Sequence, residues 1–186
     1  MDFFQLIEEI SKNVTYAEPW TVGTNGIPST LFCIIYKFML MKLTENQVYY
    51  LVNYQENDYV RCAGFLYIRY MSDPKDLWNL FSGYLNEEKL FNPTIDNKNK
   101  ISFGEYCENL LKEYDYYGTR FNRIPIQIER DIKSNLYNLQ KSKIRKIENE
   151  KMIHLFVNNK SCKAVSFQDN EWHSAKILQN LNNIDF

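Results

Sequence analysis

The stretch of residues 59–71 constrains the fold of this chain more than any other part of the sequence. Arranged as a helix, it is apolar on nearly every side, through Val60, Cys62, Ala63, Phe65, Leu66, Ile68 and Met71. A helix that is apolar all round is usually buried at the centre of a domain. The sequence therefore predicts a central, buried helix that is capped by Asp58 and runs through Met71.

Two arginines, Arg61 and Arg69, interrupt this apolar helix. A buried charge is very costly unless it is paired and hydrogen-bonded, so each guanidinium needs partners. We favour a structural role, in which each one binds carbonyl groups or an acid such as Glu18, Asp73 or Asp76. A role in contacting a partner protein remains open. Gly64 fits the structural role, because a glycine inside a helix usually marks the close approach of another element.

Several shorter patterns predict further helices around the central one. Apolar residues at helical spacing indicate an opening helix over residues 3–10, and a long helix begins after Pro125. The predicted starting signals are Ser29, the Thr44–Gln47 capping box, Asp73-Pro74, and Ser102 with Glu105. Residues 15–27 are predicted as a loop with a tight turn at Asn25-Gly26, and residues 89–100 as a loop or small hairpin.

The fold class that these patterns indicate is mainly α. We expect a compact multi-helix domain over residues 1–150, with at most a small β-hairpin and a long C-terminal helix. Residues 151–186 form an extension, in which two strands flank a turn at residues 168–171. This extension resembles the opening of a Tudor domain that the chain does not complete. Trp172 is a candidate core or aromatic-cage residue of such a module, with the core favoured.

Composition and cysteine spacing exclude several classes of protein. The formal net charge of −1 gives no overall basic bias toward nucleic acid, and 45% hydrophobic residues suffice for a substantial core. Cys33, Cys62, Cys107 and Cys162 are widely separated, which favours free thiols in a reducing compartment. Neither a secretory signal nor an apolar stretch long enough for a bilayer is expected, which predicts a soluble intracellular protein.

Catalytic and cofactor-binding patterns are weak throughout the sequence. His154 and His173 are its two histidines, and neither lies near a nucleophile motif. The cysteines lack the paired spacing of a structural zinc site. The glycines at 23 and 26 are not followed by the Lys-Ser/Thr of a phosphate-binding loop. We therefore expect no enzyme activity, no metal and no cofactor.

One segment bears on RNA binding. Lys141, Lys143, Arg145 and Lys146 crowd the end of the long helix, where they could contact RNA phosphates without reading sequence. Cations at a helix C-terminus are also favoured by the helix dipole, and acidic residues follow at 148 and 150. A solvated helix end is the preferred interpretation. Protein contacts are indicated instead by the many tyrosines, some of which we expect to line a groove: Tyr49, Tyr50, Tyr54, Tyr114, Tyr116 and Tyr117.

A set of ordered motifs over the first three quarters of the chain resembles the pre-mRNA-processing factor 38 family, and its B-type member more than its A-type. The motifs are Glu18-Pro19-Trp20, Gly23 to Thr30, the helix with Tyr59, Arg61, Gly64, Tyr67 and Arg69, and Arg123-Ile124-Pro125. Trp20, Tyr59, Arg61, Gly64 and Arg69 are thus candidates for structural or partner-facing roles.

The resemblance implies a non-enzymatic nuclear scaffold of the precatalytic spliceosome, needed for activation around tri-snRNP entry. Its implied partners are helical or zinc-finger spliceosomal proteins, and outside the spliceosome we expect a monomer that binds no membrane. We expect no Arg/Ser-rich tail like that of animal members, and the resemblance does not imply the partner contacts of the A-type branch. The alternative is an RNA-binding module that uses the basic helix end, for which the resemblance implies snRNA or pre-mRNA as the ligand.

Overall fold

Helix α4, Asp58–Met71, occupies the centre of the fold. The structure is a computed structural model that describes residues 1–21, 23, 26–96, 100–166, 168–169 and 171–178. Every residue of α4 from Val60 to Arg69 is buried. Helices α1, Phe3–Asn13, α2, Thr30–Met41, and α3, Glu45–Val52, pack against it, together with α5, Leu77–Ser82, and α6, Phe103–Lys112. The predicted central helix and the mainly α fold are confirmed.

The chain forms two compact units, Met1–Ser134 and Asn135–Phe186. The first unit holds α1 to α6 and two short antiparallel hairpins. These pair β1, Leu90–Phe91, with β2, Ile101–Ser102, and β3, Asp115–Tyr116, with β4, Thr119–Arg120. The first hairpin corresponds to the loop or small hairpin predicted over residues 89–100, although β2 lies just beyond that range. The second was not anticipated; its turn places Tyr117 at φ 47° and Gly118 at φ 81°, as a two-residue hairpin turn requires.

Local caps define where the helices begin. The hydroxyls of Ser29 and Ser102 accept from the backbone N–H groups three residues later. Thr44 forms the predicted capping box with Gln47. Asp58 is not the cap of α4. The extended residue before it, Asn57, accepts from the N–H groups at 59 and 60 through its side chain.

The start of α5 also differs from the prediction. Asp73-Pro74 opens a turn, in which the carboxylate of Asp73 accepts from the Lys75 N–H at 2.9 Å. The α-helix itself begins only at Leu77. A cap residue followed by proline favours both a turn and a helix start, and the local sequence does not distinguish them.

The loop between α1 and α2 folds back on itself. Trp20 and Pro28 form an antiparallel bridge, and the Ser29 N–H donates to the Pro19 carbonyl at 2.8 Å. Gly26 has a φ of 87°, a backbone conformation that favours glycine. Asn25, the other half of the predicted tight turn, lies outside the described residues.

The second unit contains a strand pair that follows the long helix. Helix α7, Ile126–Lys151, contributes residues to both units, and a short 3-10 helix follows at Ile153–Leu155. Strand β5, Ser161–Val165, pairs with β6, Trp172–Lys176, with Val165 opposite Trp172. The predicted two-strand segment is confirmed, and among the residues described the strands close no barrel. The expected domain boundary near residue 150 stays a prediction.

Candidate functional site

Arg61 joins α4 to the end of α3 and to the segment after α5. Its side chain is 2% exposed, and its Nε donates to the Val52 carbonyl at 2.9 Å. Its Nη2 donates to both carboxylate oxygens of Glu87, at 2.7 and 2.9 Å. The guanidinium also lies 3.9 Å from the ring centroid of Phe103. These contacts satisfy the charge inside the domain, as the structural interpretation requires.

Arg69 has a similar position at the other end of α4, but with no acid. It is 3% exposed; its Nε donates to the Leu110 carbonyl at 2.9 Å and its Nη1 to that of Asn122 at 3.0 Å. Phe121 covers the guanidinium at 4.6 Å. Burial lowers the pKa of Arg69 from its usual value. Arg69 thereby holds the end of α6 and the segment before α7.

The acids named from the sequence were the wrong ones. Glu18 accepts from the Ile95 N–H at 3.2 Å, and Asp73 caps a turn. Glu87, the actual partner of Arg61, lies 26 residues away beyond α5. Glu87 could not be identified from the sequence, because no local spacing relates it to α4.

The other motif residues have different positions in the first unit. The Tyr59 hydroxyl donates to the Asn92 carbonyl at 3.1 Å. At Gly64, an added Cβ would lie 2.8 Å from the Leu51 Cβ, so this glycine permits the close approach of α3. Trp20 is 39% exposed, and its Nε1 lies 3.7 Å from where a Cβ on Gly118 would be.

A surface groove of roughly 900 Å³ lies between α3, the end of α4 and α5. We call it the acidic groove. Its buried base includes Tyr67 and Ile68, and its exposed apolar walls include Tyr49, Met71 and Leu80. Its full lining is Leu43, Glu45, Asn46, Val48, Tyr49, Val52, Tyr67, Ile68, Met71, Ser72, Asp73, Asp76, Asn79, Leu80 and Tyr84.

The charged side chains that line the acidic groove are all negative. Glu45, Asp73 and Asp76 are exposed, and no Lys or Arg lines it. Within the described part of the chain, none of these three carboxylates forms an ion pair. Such a surface favours a cationic ligand.

Two tyrosines line the acidic groove in different ways: Tyr84 is held by a hydrogen bond and ring packing, whereas Tyr49 is exposed. The Tyr84 hydroxyl donates to Asn53 Oδ1 at 3.1 Å, and its ring packs edge-on against Phe65 at 4.9 Å. Tyr49 is 69% exposed. By contrast, Tyr116 from the same predicted group is buried, and its hydroxyl donates to the Ala17 carbonyl at 2.9 Å.

A second cavity of roughly 280 Å³ lies beside Tyr106 and Tyr116 in the first unit. Their hydroxyls lie 3.0 Å apart, and burial raises the pKa of both. Burial also raises the pKa of the Cys62 thiol, which disfavours the nucleophilic thiolate. Among the described residues, no cluster of three His, Cys, Asp or Glu could hold a metal. Nor does any described helix combine the length and apolar character needed to cross a bilayer.

The four basic residues Lys141, Lys143, Arg145 and Lys146, which we call the basic segment, lie in the second unit. The Lys141 Nζ lies 4.4 Å from the ring centroid of Tyr137, and the Arg145 guanidinium lies 5.8 Å from that of Trp172. Trp172 is 59% exposed, so its ring is outside any core in the described chain. Lys143 and Lys146 are also exposed. This surface combines cations with exposed aromatic rings.

Comparison with known proteins assigns the family. A sequence model of the PRP38 family matches residues 2–134. The chain belongs to the PRP38 family. Both buried arginines and the whole acidic groove lie within the matched residues, whereas the basic segment and Trp172 lie outside them.

Curated PRP38 relatives agree with the resemblance found in the sequence. Pre-mRNA splicing factor SR-like 1 of Arabidopsis thaliana is 39% identical over 134 residues, which cover 72% of this chain and 34% of that protein. Pre-mRNA-splicing factor 38B of Homo sapiens is 31% identical over 166 residues, covering 80% of this chain and 30% of the relative. The chain thus spans about a third of the length of these relatives.

A solved structure shares the PRP38 fold. It is the crystal structure of the Snu23-Prp38-MFAP1(217–258) complex of Chaetomium thermophilum, with a TM-score of 0.62 and 16% identity. The match covers 73% of this chain and 70% of the matched chain. At this identity the likeness establishes the fold.

Proposed function

We propose that this chain is a non-enzymatic protein-docking domain of a pre-mRNA splicing factor that works in the nucleus. The match of residues 2–134 to the PRP38 family, with relatives named as splicing factors, carries the proposal. Its place is the precatalytic spliceosome, around tri-snRNP entry, where it is needed for activation. Its partners are helical or zinc-finger spliceosomal proteins, and it is a monomer outside the spliceosome.

The chemistry of the first unit supports docking rather than catalysis. Arg61 and Arg69 are used inside the domain, and the buried Cys62 thiol has a raised pKa. The exposed apolar walls of the acidic groove offer contact area instead. In the similar crystal structure, the named complex contains Snu23 and MFAP1, which supports proteins as the partners of this fold.

Purification of the tagged chain from splicing-competent nuclear extract tests this function. Extracts stalled before tri-snRNP entry, after it and after activation separate the stages. We expect spliceosomal proteins to copurify, with most recovery between tri-snRNP entry and activation. If no spliceosomal protein copurifies with the chain at any stage, the proposed function is contradicted. If as much spliceosomal protein copurifies after activation as before it, the proposed timing is contradicted.

RNA binding by the second unit is a second candidate function. The observation that favours it is the exposed Trp172 ring beside the Arg145 guanidinium, within a unit that carries eight basic and five acidic residues. Aromatic stacking and phosphate contacts together suit single-stranded RNA.

Fluorescence anisotropy with a single-stranded RNA of about 20 nucleotides tests RNA binding, with site sizes of roughly 4–16 nucleotides as a guide. We expect glutamine at positions 141, 143, 145 and 146 to weaken binding at least tenfold and to flatten its salt dependence. The matched control carries glutamine at exposed Lys37, Lys42, Lys75 and Lys100 of the first unit. Equal losses in both variants, or no binding at low salt, would exclude a site on the basic segment.

A further inference from the structure

The walls of the acidic groove are unusually apolar for exposed residues. Tyr49, Met71 and Leu80 come from three different helices and expose 69%, 46% and 37% of their surface. Single exposed apolar residues are ordinary, but a contiguous set around a concave surface marks a binding site. Tyrosine and methionine are also enriched where proteins contact each other.

The rim of the groove supplies charge of one sign. Glu45 lies in the first turn of α3, and Asp73 and Asp76 lie in the turn between α4 and α5. Because these carboxylates are exposed and form no ion pair within the described residues, they are free to attract cations. Complementary charge of this kind speeds association and selects partners.

The groove is lined by helices and turns, without a strand. Strand addition needs the free backbone groups of a sheet edge, which this surface does not offer. Side chains must therefore provide the contacts, as they do when an amphipathic helix lies in a groove. Helix α3 has eight residues, which corresponds to about 12 Å, or two turns of a bound helix.

We infer that the acidic groove receives a basic amphipathic α-helix of a partner protein. Apolar side chains at i, i+3 or i+4, and i+7 pack against Tyr49, Met71 and Leu80. Lysines or arginines on the flanks of that helix face Glu45, Asp73 and Asp76. The inference rests on the proposed docking function and adds the surface and the chemistry of one partner.

Selection from a displayed library of 20-residue peptides tests the occupant, with the full chain as the target. The library fixes helix-favouring residues and randomises both the apolar and the flanking positions. Binders that also recognise the Tyr49→Ala variant are removed, since Tyr49 is exposed and its loss leaves the core intact. We expect the remaining peptides to carry a net positive charge and apolar residues at helical spacing.

Charge-neutral variants test the rim. With a selected peptide at 50 mM salt, Glu45→Gln/Asp73→Asn/Asp76→Asn should bind five- to tenfold more weakly, and high salt should shrink this difference. Asparagine keeps the acceptor with which Asp73 caps its turn. The matched control neutralises three carboxylates outside the groove, Glu88→Gln/Glu105→Gln/Asp131→Asn, and should bind like the unaltered chain.

Several results would overturn the inference. Selected peptides that are acidic, or whose apolar residues lack helical spacing, would do so. So would peptides that bind the Met71→Ala variant as tightly as the unaltered chain. An equal loss of binding in the two triple variants would also contradict it. Self-association that Tyr49→Ala abolishes would assign the groove to a second copy of the chain. Thermal unfolding of each variant shows that the fold is intact. If spliceosomal proteins still copurify, only the groove assignment fails and the proposed docking function stands.

Discussion

The two arginines of α4 connect segments that are distant in the sequence. Arg61 binds groups 9 and 26 residues away, and Arg69 binds carbonyls 41 and 53 residues away. Each guanidinium supplies several fixed donors to loops whose backbone groups would otherwise need other partners. A motif of two arginines on one apolar helix can therefore specify the arrangement of an entire helical domain.

Replacing Arg61 should strongly destabilise the first unit. We expect Arg61→Met to lower the free energy of unfolding by about 3 kcal/mol, because it leaves the buried Val52 carbonyl without this donor. Glu87→Gln should cost only about 1 kcal/mol, because the glutamine oxygen can still accept a hydrogen bond from the guanidinium and water can reach this 36% exposed side chain. Urea unfolding followed by circular dichroism measures both, and equal losses would contradict this account.

Arg69 should tolerate lysine poorly. A lysine has one nitrogen and cannot reach both the Leu110 and Asn122 carbonyls with the spacing of Nε and Nη1. We expect Arg69→Lys to lower the free energy of unfolding by about 2 kcal/mol in the same urea experiment. Lys112→Arg, on the exposed side of α6, is the control and should have little effect.

At the scale of elements, the starts of α2, α3 and α6 could be predicted because each cap and its backbone partner are three residues apart. The start of α5 could not, because the turn opened by Asp73 continues to Leu77 before the helix begins. A local cap pattern therefore locates a helix start only where one residue fits the cap position; before α4 both Asn57 and Asp58 fitted, and Asn57 is the cap.

The acidic groove could not be located from the sequence, because its lining residues are distant from one another along the chain. Tyr49, Met71 and Leu80 lie on three helices, and only packing brings them to one surface. Composition predicted that some tyrosines would line a groove, but Tyr49 and the buried Tyr116 have no local signal that separates them. The acid that pairs with Arg61 was predicted wrongly for a similar reason: Glu87 lies 26 residues away, beyond helix α5.

The contact between α3 and α4 yields a prediction for Gly64. Gly64→Ala should lower the free energy of unfolding by about 2 kcal/mol, because the new Cβ would lie 2.8 Å from the Leu51 Cβ and 3.1 Å from the Val52 nitrogen. The intrinsic helix preference for alanine, about 1 kcal/mol, only partly offsets this clash. Gly83→Ala is the matched control; nothing lies within 4 Å of its added Cβ, and stability should stay the same or rise slightly.

At the scale of the whole molecule, a net charge of −1 conceals two units of opposite sign. Residues 1–134 carry 14 basic and 18 acidic residues, a net charge of −4, whereas residues 135–186 have a net charge of +3. A net charge of −1 therefore does not exclude nucleic-acid binding by the basic second unit. An acidic docking surface and a basic segment suit different ligands, and each should respond to salt through its own charges.

The buried apolar side chains, like the charges, are distributed unevenly along the chain. Among the described residues, the buried apolar side chains all lie between Phe3 and Leu136. Since burial of apolar surface is the main favourable term in folding, stability should come almost entirely from that part of the chain. The boundary near residue 150 stays a prediction, and it lies beyond the last of these buried side chains, Leu136.

Shortening the chain to residues 1–150 tests this distribution. We expect a single cooperative unfolding transition with a midpoint within about 3 °C of the full chain, since a loss of 1 kcal/mol shifts the midpoint of a chain of this size by roughly 2–4 °C. Thermal circular dichroism measures it. Shortening to residues 1–125 is the informative comparison, because it removes Ile132 and Leu136, which are buried, along with Glu129, which accepts from the Tyr114 hydroxyl. That form should unfold well below the others; if it is as stable as residues 1–150, helix α7 does not belong to the core, and the boundary lies near Pro125 instead.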